Sequence, residues 1–357
     1  MKTSQVSELT PAPWLRGPAE KKGKKFLNPV PTAVGGLSMM FKVLPLYLSN
    51  REERSPRVPP GPFRTDRRVY ETEPASGLRV TWFGHSANLI EIDGVRVLID
   101  PVWEQRASPA QWFGPKRFFA PTIALDELPE LDVVLLSHDH YDHLGVNTVR
   151  RLAGLQCARG ARWVTSTGVG ADLRRWGVPS AHVTELNWME TAEVTSVRNG
   201  CALRLRSLPA RHFSGRSLSN RYETLWASFV LEGPQHRVYY GADSGWWPGF
   251  PEMGQYGPFD LTMLEIGAYN DLWKAIHMGP DGAAQIFREM GGTGMLMPIH
   301  WGLFDLALHS WRQPIERMEG LGRERGLPLW SPEPGRPTEV RPSEPLMSDW
   351  WRPATGR

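Results

Sequence analysis

Residues 135–145, LLSHDHYDHLG, restrict what this chain can fold into more than any other stretch. An apolar run, DVVLLS (132–137), stops at Ser137, and five of the next six residues are His or Asp. A continuous apolar run predicts a strand buried on both faces, so the polar cluster begins where a core strand ends. In an extended segment His138 and His140 point to the same side. Asp142 and His143 follow a turn later and can face a second ion. Packing such a cluster without a metal would leave several polar or charged groups unpaired. Imidazole together with carboxylate suits Zn2+, with Mn2+ or Fe2+ as alternatives.

One cluster cannot complete two metal sites, so further ligands are expected at later strand ends. His212 follows ALRLRSLPA, Asp243 follows RVYYGA and His300 follows GMLMPI. Each stands where an apolar run opens into a loop containing Gly or Pro.

The regular pattern around these residues starts at Leu78. LRVTWF (78–83), NLIEI (88–92) and VRVLI (95–99) read as strands, the last two joined by an Asp93-Gly94 turn. Further strands fit 203–208, 225–231, 237–241, 260–265 and 294–299. Helices fit 146–155, 169–176, 281–290 and 311–324. Runs of strands with helices between them predict a sandwich with helices outside. The length, 357 residues, is ample for one large domain with an extension.

The net charge of +3 is uneven: residues 1–75 carry 13 Lys or Arg against 7 Asp or Glu. Such a basic leader is either a solvated tail or a contact for anionic lipid or nucleic acid. Residues 1–30 read as irregular. Residues 36–48 read as a short helix with Leu37, Met40, Phe41, Leu44 and Leu48 on one face, kinked or ended by Pro45. This helix either packs on the domain or meets a membrane. Residues 55–75 read as a connector. The expected division is therefore an extension over 1–75, a catalytic domain over 76–345 and a tail over 346–357. Two cysteines, Cys157 and Cys201, cannot build a disulfide framework or a Cys zinc site. They predict two buried free thiols in a reducing, cytoplasmic compartment. No signal core is visible, and no stretch approaches the roughly 18 apolar residues that span a bilayer.

The cluster followed by His212, Asp243 and His300, in that order, resembles the metallo-β-lactamase superfamily. FLNPVPT (26–32), RVTWFGHS (79–86), RASPAQWFGPKRF (106–118), MLEIGAYN (263–270) and PIHWGLF (298–304) resemble, more narrowly, the N-acylphosphatidylethanolamine-hydrolysing phospholipase D family. The resemblance runs from about residue 26 to about residue 325. It implies an α/β fold, the metallo-β-lactamase αββα sandwich, with an N-terminal extension. It implies two zinc ions, one held by His138, His140 and His212, the other by Asp142, His143 and His300, with Asp243 bridging. Two ions roughly 3.5–4 Å apart can share a hydroxide as nucleophile, which Asp142 would orient.

His277, in AIHMGP, resembles a position beside the family's substrate, where it would protonate the leaving group or bind phosphate. Asp100, ending VLID, is expected to hold the second nitrogen of a metal-bound His. His85, in the GHS turn, is expected either behind the site or as an ordinary turn residue. Lys116 and Arg117 would meet phosphate or serve as surface charges. Trp112, Phe113, Trp246 and Trp247 would offer apolar surface to a lipid or pack in the core.

The implied activity is hydrolysis of N-acylphosphatidylethanolamine to an N-acylethanolamine and phosphatidic acid. A lactonase or a soluble phosphodiesterase would use the same centre. The expected partner is a phospholipid, with peripheral membrane contact through residues 21–48. A nucleic-acid partner is not expected, because the basic residues lie in the leader rather than in a strand-binding insert. A homodimer is compatible with the sequence.

Overall fold

The computed structural model describes residues 14–35, 37–49, 52–217, 219–341 and 344–352. Two sheets form its middle. The first holds β1 (Leu78–Trp82), β2 (Asn88–Ile92), β3 (Val95–Ile99), β4 (Val133–Leu136), β5 (Arg162–Ser166) and β6 (Val183–Leu186), side by side in that order. Thr338–Glu339 covers the free edge of β1. The second holds β7 (Thr191–Thr195), β8 (Ala202–Leu208), β9 (Ser228–Glu232), β10 (Arg237–Tyr240), β11 (Leu261–Glu265) and β12 (Met295–Ile299), also in chain order across the sheet. The main helices are α1 (Leu37–Ser49), α2 (Val146–Gly154), α3 (Gly170–Arg175), α4 (Gly279–Glu289) and α5 (Gln313–Arg325).

Strand periodicity explains the layers. Ile90, Ile92, Val97, Ile99, Val133 and Leu135 join the same apolar cluster as Leu203, Leu205, Phe229 and Leu231 of the second sheet. Their neighbours Leu89, Leu98, Val134 and Leu136 join a second cluster with Val149, Leu152 and Leu173 of α2 and α3. Alternate residues of a strand face opposite sides, and here both sides are covered. That is why the runs look continuously apolar in the sequence. On the far side α4 packs on β11 and against α5. The layers are helix, sheet, sheet and helix, as the pattern of strands and helices implies.

β3 through β6 are parallel neighbours, and so are β10, β11 and β12. Parallel strands end at the same edge, so the residues just after them share one rim. Several turn there in the left-handed region: His85 (φ 55°), Asp100 (φ 40°), Ala242 (φ 50°) and His300 (φ 61°). Each such residue costs roughly 1–3 kcal/mol of local strain, borne by the packed sheets on either side.

The observed elements depart from the sequence expectations in identifiable places. β5, β6 and β7 have no counterpart among the expected strands. β6 and β7 are edge strands with partly exposed residues, so they lack the apolar signature. β9 begins three residues later than expected. Residues 1–30 are not wholly irregular: Lys21–Lys22 pairs with Lys25–Phe26, and Phe26 is buried. α1 runs through Pro45, which removes one hydrogen bond without ending the helix. Of its expected apolar face, Leu37, Met40, Phe41 and Leu44 lie outside the described side chains, and Leu48 is 78% exposed.

The described part of the expected tail, 346–352, packs on the domain. Leu346–Met347 pairs with Trp330–Ser331, and Trp351 is buried. Trp350 stacks on Trp301 at 5.3 Å, and Trp301 stacks on Trp82 at 5.3 Å. Residues 353–357 lie outside the described set. Cys157 and Cys201 are free but only partly buried. Among the described residues no helix is long and apolar enough to cross a membrane.

The connector is fastened by a charged triad. Arg79, Glu91 and Arg96 stand abreast on β1, β2 and β3, and all three are buried. Glu91 accepts from Arg79 at 2.5 and 2.7 Å and from Arg96 at 3.3 Å. The guanidinium groups also donate to the carbonyls of Thr72 and Tyr70. Replacing Glu91 by Ala strands two buried cations, and such a loss destabilises by about 3–5 kcal/mol. Urea unfolding of E91A should show a fall of that size, and a change below about 1 kcal/mol would refute the triad's importance.

Candidate metal centre

At the shared rim two groups of side chains contain the expected ligands, and a third joins Asp243 and His300 to Glu265 and His277. His138, His140, His212 and Asp243 make the first, and His85, Asp142, His143 and His300 the second; in each, candidate ligand atoms lie within 4.8 Å of one another. Asp243 touches both. Its Oδ1 is 3.2 Å from His143 Nε2. Its Oδ2 is 3.1 Å from His300 Nε2, 3.6 Å from His212 Nε2 and 3.7 Å from His138 Nε2. Asp142 Oδ2 lies 2.9 Å from His85 Nε2 and 3.3 Å from His300 Nε2. All seven residues expected as ligands are thus brought together, and His85 joins them rather than serving as a plain turn residue.

The donor set fits divalent cations. His140 Nδ1 is 3.0 Å from His138 Nε2 and 3.2 Å from His212 Nε2. His212 donates its Nδ1–H to the Ile276 carbonyl at 3.0 Å, so its Nε2 brings a lone pair to this meeting point. Nε2 of His143, Nε2 of His300 and Oδ1 of Asp243 are buried without a hydrogen bond. Orphaned atoms of this kind call for a partner, and a cation coordinated by imidazole and carboxylate provides one.

The charge states agree. Burial, reinforced by His143 and His140, holds His138 well below the usual histidine range, and burial does the same for His212. Both are then neutral, the form that binds metal. Burial works against the charge on Asp142 and Asp243, yet the neighbouring imidazoles, His143 foremost, keep both well below the usual carboxylate range. Conversely, burial disfavours the charged form of His300, but Asp243 and Asp142 push it up to about 10. The carboxylates demand positive charge at this spot, which a bound cation would supply in place of protons.

Behind the ligands, Asp100 orients the rings. It accepts from His143 Nδ1 at 2.7 Å, Ser137 N at 2.8 Å, the Ser137 hydroxyl at 2.6 Å and the Tyr240 hydroxyl at 2.5 Å. Ser137 Oγ is also 2.9 Å from His138 Nδ1. Donating to Asp100, it accepts from His138, whose Nε2 lone pair then faces the cluster. Asp139 has a different task. Its carboxylate accepts from Gly215 N at 2.7 Å and from the Thr224 hydroxyl at 2.8 Å, tying down the loop that carries His212.

The N-terminal segment is sewn to the same loop. Asn28 Oδ1 accepts from His212 N at 2.9 Å, and Asn28 Nδ2 donates to His212 O at 2.8 Å. Phe26 N donates to Tyr222 O, and Arg211 donates to Thr32 and to the Pro31 carbonyl. Val34 and Val43 then line a cavity of about 430 Å³ over the centre, together with His140, Asp142, Asp243, His300, Phe213, Arg221, Trp273, Ile276 and Leu306.

His277 lines the cavity too. Its Nδ1 is 2.6 Å from Glu265 Oε2. Glu265 is fully buried and also accepts from the amides of Met278 and Ser244. Sequence reasoning gave it no role; an acid closing an apolar strand was the available signal. Two residues on, only glycine fits at 267, where an added Cβ would lie 2.0 Å from the His300 carbonyl oxygen.

None of the six expected substrate residues lines this cavity. Trp112 and Phe113 sit on a loop at 84% and 68% exposure. Lys116 and Arg117 face a separate groove with residues 55–63. Arg117 is buried and donates to the carbonyls of Phe119 and Glu104, because its guanidinium serves the loop's backbone. Trp247 is fully buried against Phe250 and Trp14, where the core claims its surface. Trp246 donates its indole N–H to Glu289. Val34, Val43 and Arg221 were not expected at the site.

Comparison with known proteins bears on this arrangement. The family model described as a Beta-lactamase superfamily domain matches residues 95–301. An uncharacterised protein of Mycobacterium tuberculosis is 47% identical over 78% of this chain and 73% of its own. The N-acyl-phosphatidylethanolamine-hydrolyzing phospholipase D 1 of Caenorhabditis elegans is 36% identical over 69% of this chain and 70% of its own. The solved structure of Igni18, a metallo hydrolase from Ignicoccus hospitalis, aligns with a TM-score of 0.53 at 20% identity, over 74% of this chain and 98% of its own. The chain belongs to the β-lactamase superfamily and is a metal-dependent hydrolase of that fold.

Proposed function

We propose that this hydrolase is a zinc-dependent phosphodiesterase that cleaves N-acylphosphatidylethanolamine, phospholipase D fashion, into an N-acylethanolamine and phosphatidic acid. The observation that carries the reading is Asp243, in contact with both histidine groups at the floor of a cavity whose upper walls are apolar. The relative from C. elegans, named for this activity, supports the substrate class. Three imidazoles with a shared carboxylate suit zinc.

Bound here, two zinc ions would make water nucleophilic near neutral pH and neutralise charge on the phosphoryl oxygens. The chain's own residues do the rest. Asp100 and Ser137 fix the ring orientations of His143 and His138. Asp142, held ionised, orients the attacking water. Val34, Val43 and Leu306 exclude bulk solvent and receive an acyl chain. Attack at phosphorus breaks the P–O bond to the N-acylethanolamine, whose oxygen must take a proton. Glu265 holds His277 through Nδ1, leaving Nε2 to deliver that proton.

Zinc-loaded protein should release N-acylethanolamine from vesicles containing N-acylphosphatidylethanolamine, and a chelator should stop it. Hydrolysis of lactones with these vesicles left intact would exclude the lipid reading. Asp100→Asn should weaken zinc binding by roughly 10–100-fold, measured by competition with a chromophoric chelator. An unchanged affinity would show that Asp100 does not govern the ligands. His277→Gln should lower kcat by about 100-fold or more with zinc content intact, and a normal kcat would remove His277 from proton delivery.

A further inference from the structure

We infer that Arg221 is the anion-binding residue of the metal cavity, receiving a phosphoryl oxygen of the substrate. The inference deepens the phosphodiester reading above and rests on it.

The backbone presents Arg221 deliberately. The chain leaves His212, doubles back and returns at Tyr222, whose amide donates to the Ser214 carbonyl at 3.0 Å. Gly215, at φ 129°, makes the return possible: a Cβ there would meet the Arg221 Cα at 2.8 Å. From the other side Phe26 N donates to Tyr222 O at 2.8 Å. Arg221 is therefore gripped between the metal-ligand loop and the N-terminal segment.

Its guanidinium is underused. Nη1 donates to the Gly35 carbonyl at 3.1 Å. The group lies 5.0 Å from the Phe213 ring centroid, and Phe213 lies 4.4 Å from His140. Among the described residues no carboxylate comes within 4.0 Å of it. Other arginines packed into the domain are committed to carboxylates: the buried Arg79 and Arg96 to Glu91, the partly buried Arg198 to Asp132. Arg221 instead lines the cavity with donors to spare, facing a space that already holds the metal-cluster residues.

A phosphodiester carries one negative charge over two non-bridging oxygens, and the planar fork of an arginine matches that pair. A carboxylic ester or a lactone offers no such charge. Arg221 thus selects for a phosphoryl anion, while Val34, Val43 and Leu306 alongside it accept the apolar part of the same molecule.

The test uses the full zinc-loaded chain, wild type, Arg221→Gln and Arg221→Lys. Loss of a charge-assisted hydrogen bond predicts binding of inorganic phosphate weakened roughly 10–100-fold in R221Q, measured by calorimetry. KM for bis(p-nitrophenyl) phosphate should rise more than kcat falls, at unchanged zinc content. R221K, which keeps the charge without the fork, should fall between, and it alone decides if R221Q does not fold. Equal phosphate binding in wild type and variant overturns the proposal, as does a loss confined to kcat. A wild type that leaves lipid vesicles intact yet loses phosphate affinity on R221Q would overturn the lipid reading and uphold the anion site.

Discussion

The carboxylate of Asp100 is the constraint on which the centre depends. It ends a strand of the first sheet, is wholly buried, and accepts from Tyr240 at the end of a strand in the second. The same oxygen, Oδ2, holds His143 directly and His138 through the Ser137 hydroxyl. One side chain therefore joins the two sheets and sets the direction of two imidazoles. A buried carboxylate is tolerable only when its lone pairs are filled, and here the fold and the site fill them together.

From that point the rest of the rim follows. Parallel strands deliver Ser137, Asp243, Glu265 and His300 to one edge. Left-handed turns at Asp100, Ala242 and His300 then redirect the chain, and Trp301, clustered with Trp82 and Trp350, follows His300 directly. The strain is local and the packing is extended, which is how a pre-formed ligand set persists in the fold.

Much of this was legible in the sequence because the signals were local. The His-Asp cluster after a buried run is self-announcing, and His212, Asp243 and His300 each follow an apolar strand. What escaped was tertiary. Trp247 and Trp246 follow Asp243 directly, yet one turns into the core and the other outward, and neighbouring positions alone do not say which. Arg221 stands in a loop whose course depends on Gly215 and Asp139, and Val34 and Val43 reach the site on a segment that Asn28 and Arg211 clamp to the His212 loop. The edge strands escaped because half-exposed residues carry no apolar pattern. Trp350 looked like part of a tail because its partners lie far away in sequence.

The Asn28–His212 clamp also bears on when the centre comes into being. Its partners are 184 residues apart, and the tryptophan cluster at Trp301 waits for Trp350. Loops of that length must be closed before their contacts give any return, which makes such contacts late events in folding. On a growing chain the cluster from His138 to His143 emerges well before His212, Asp243 and His300, so the candidate ligand set is incomplete until they follow. The complete pocket exists only after Asn28 and Trp350 have reached their distant partners, so the full set of candidate ligands belongs to the folded chain.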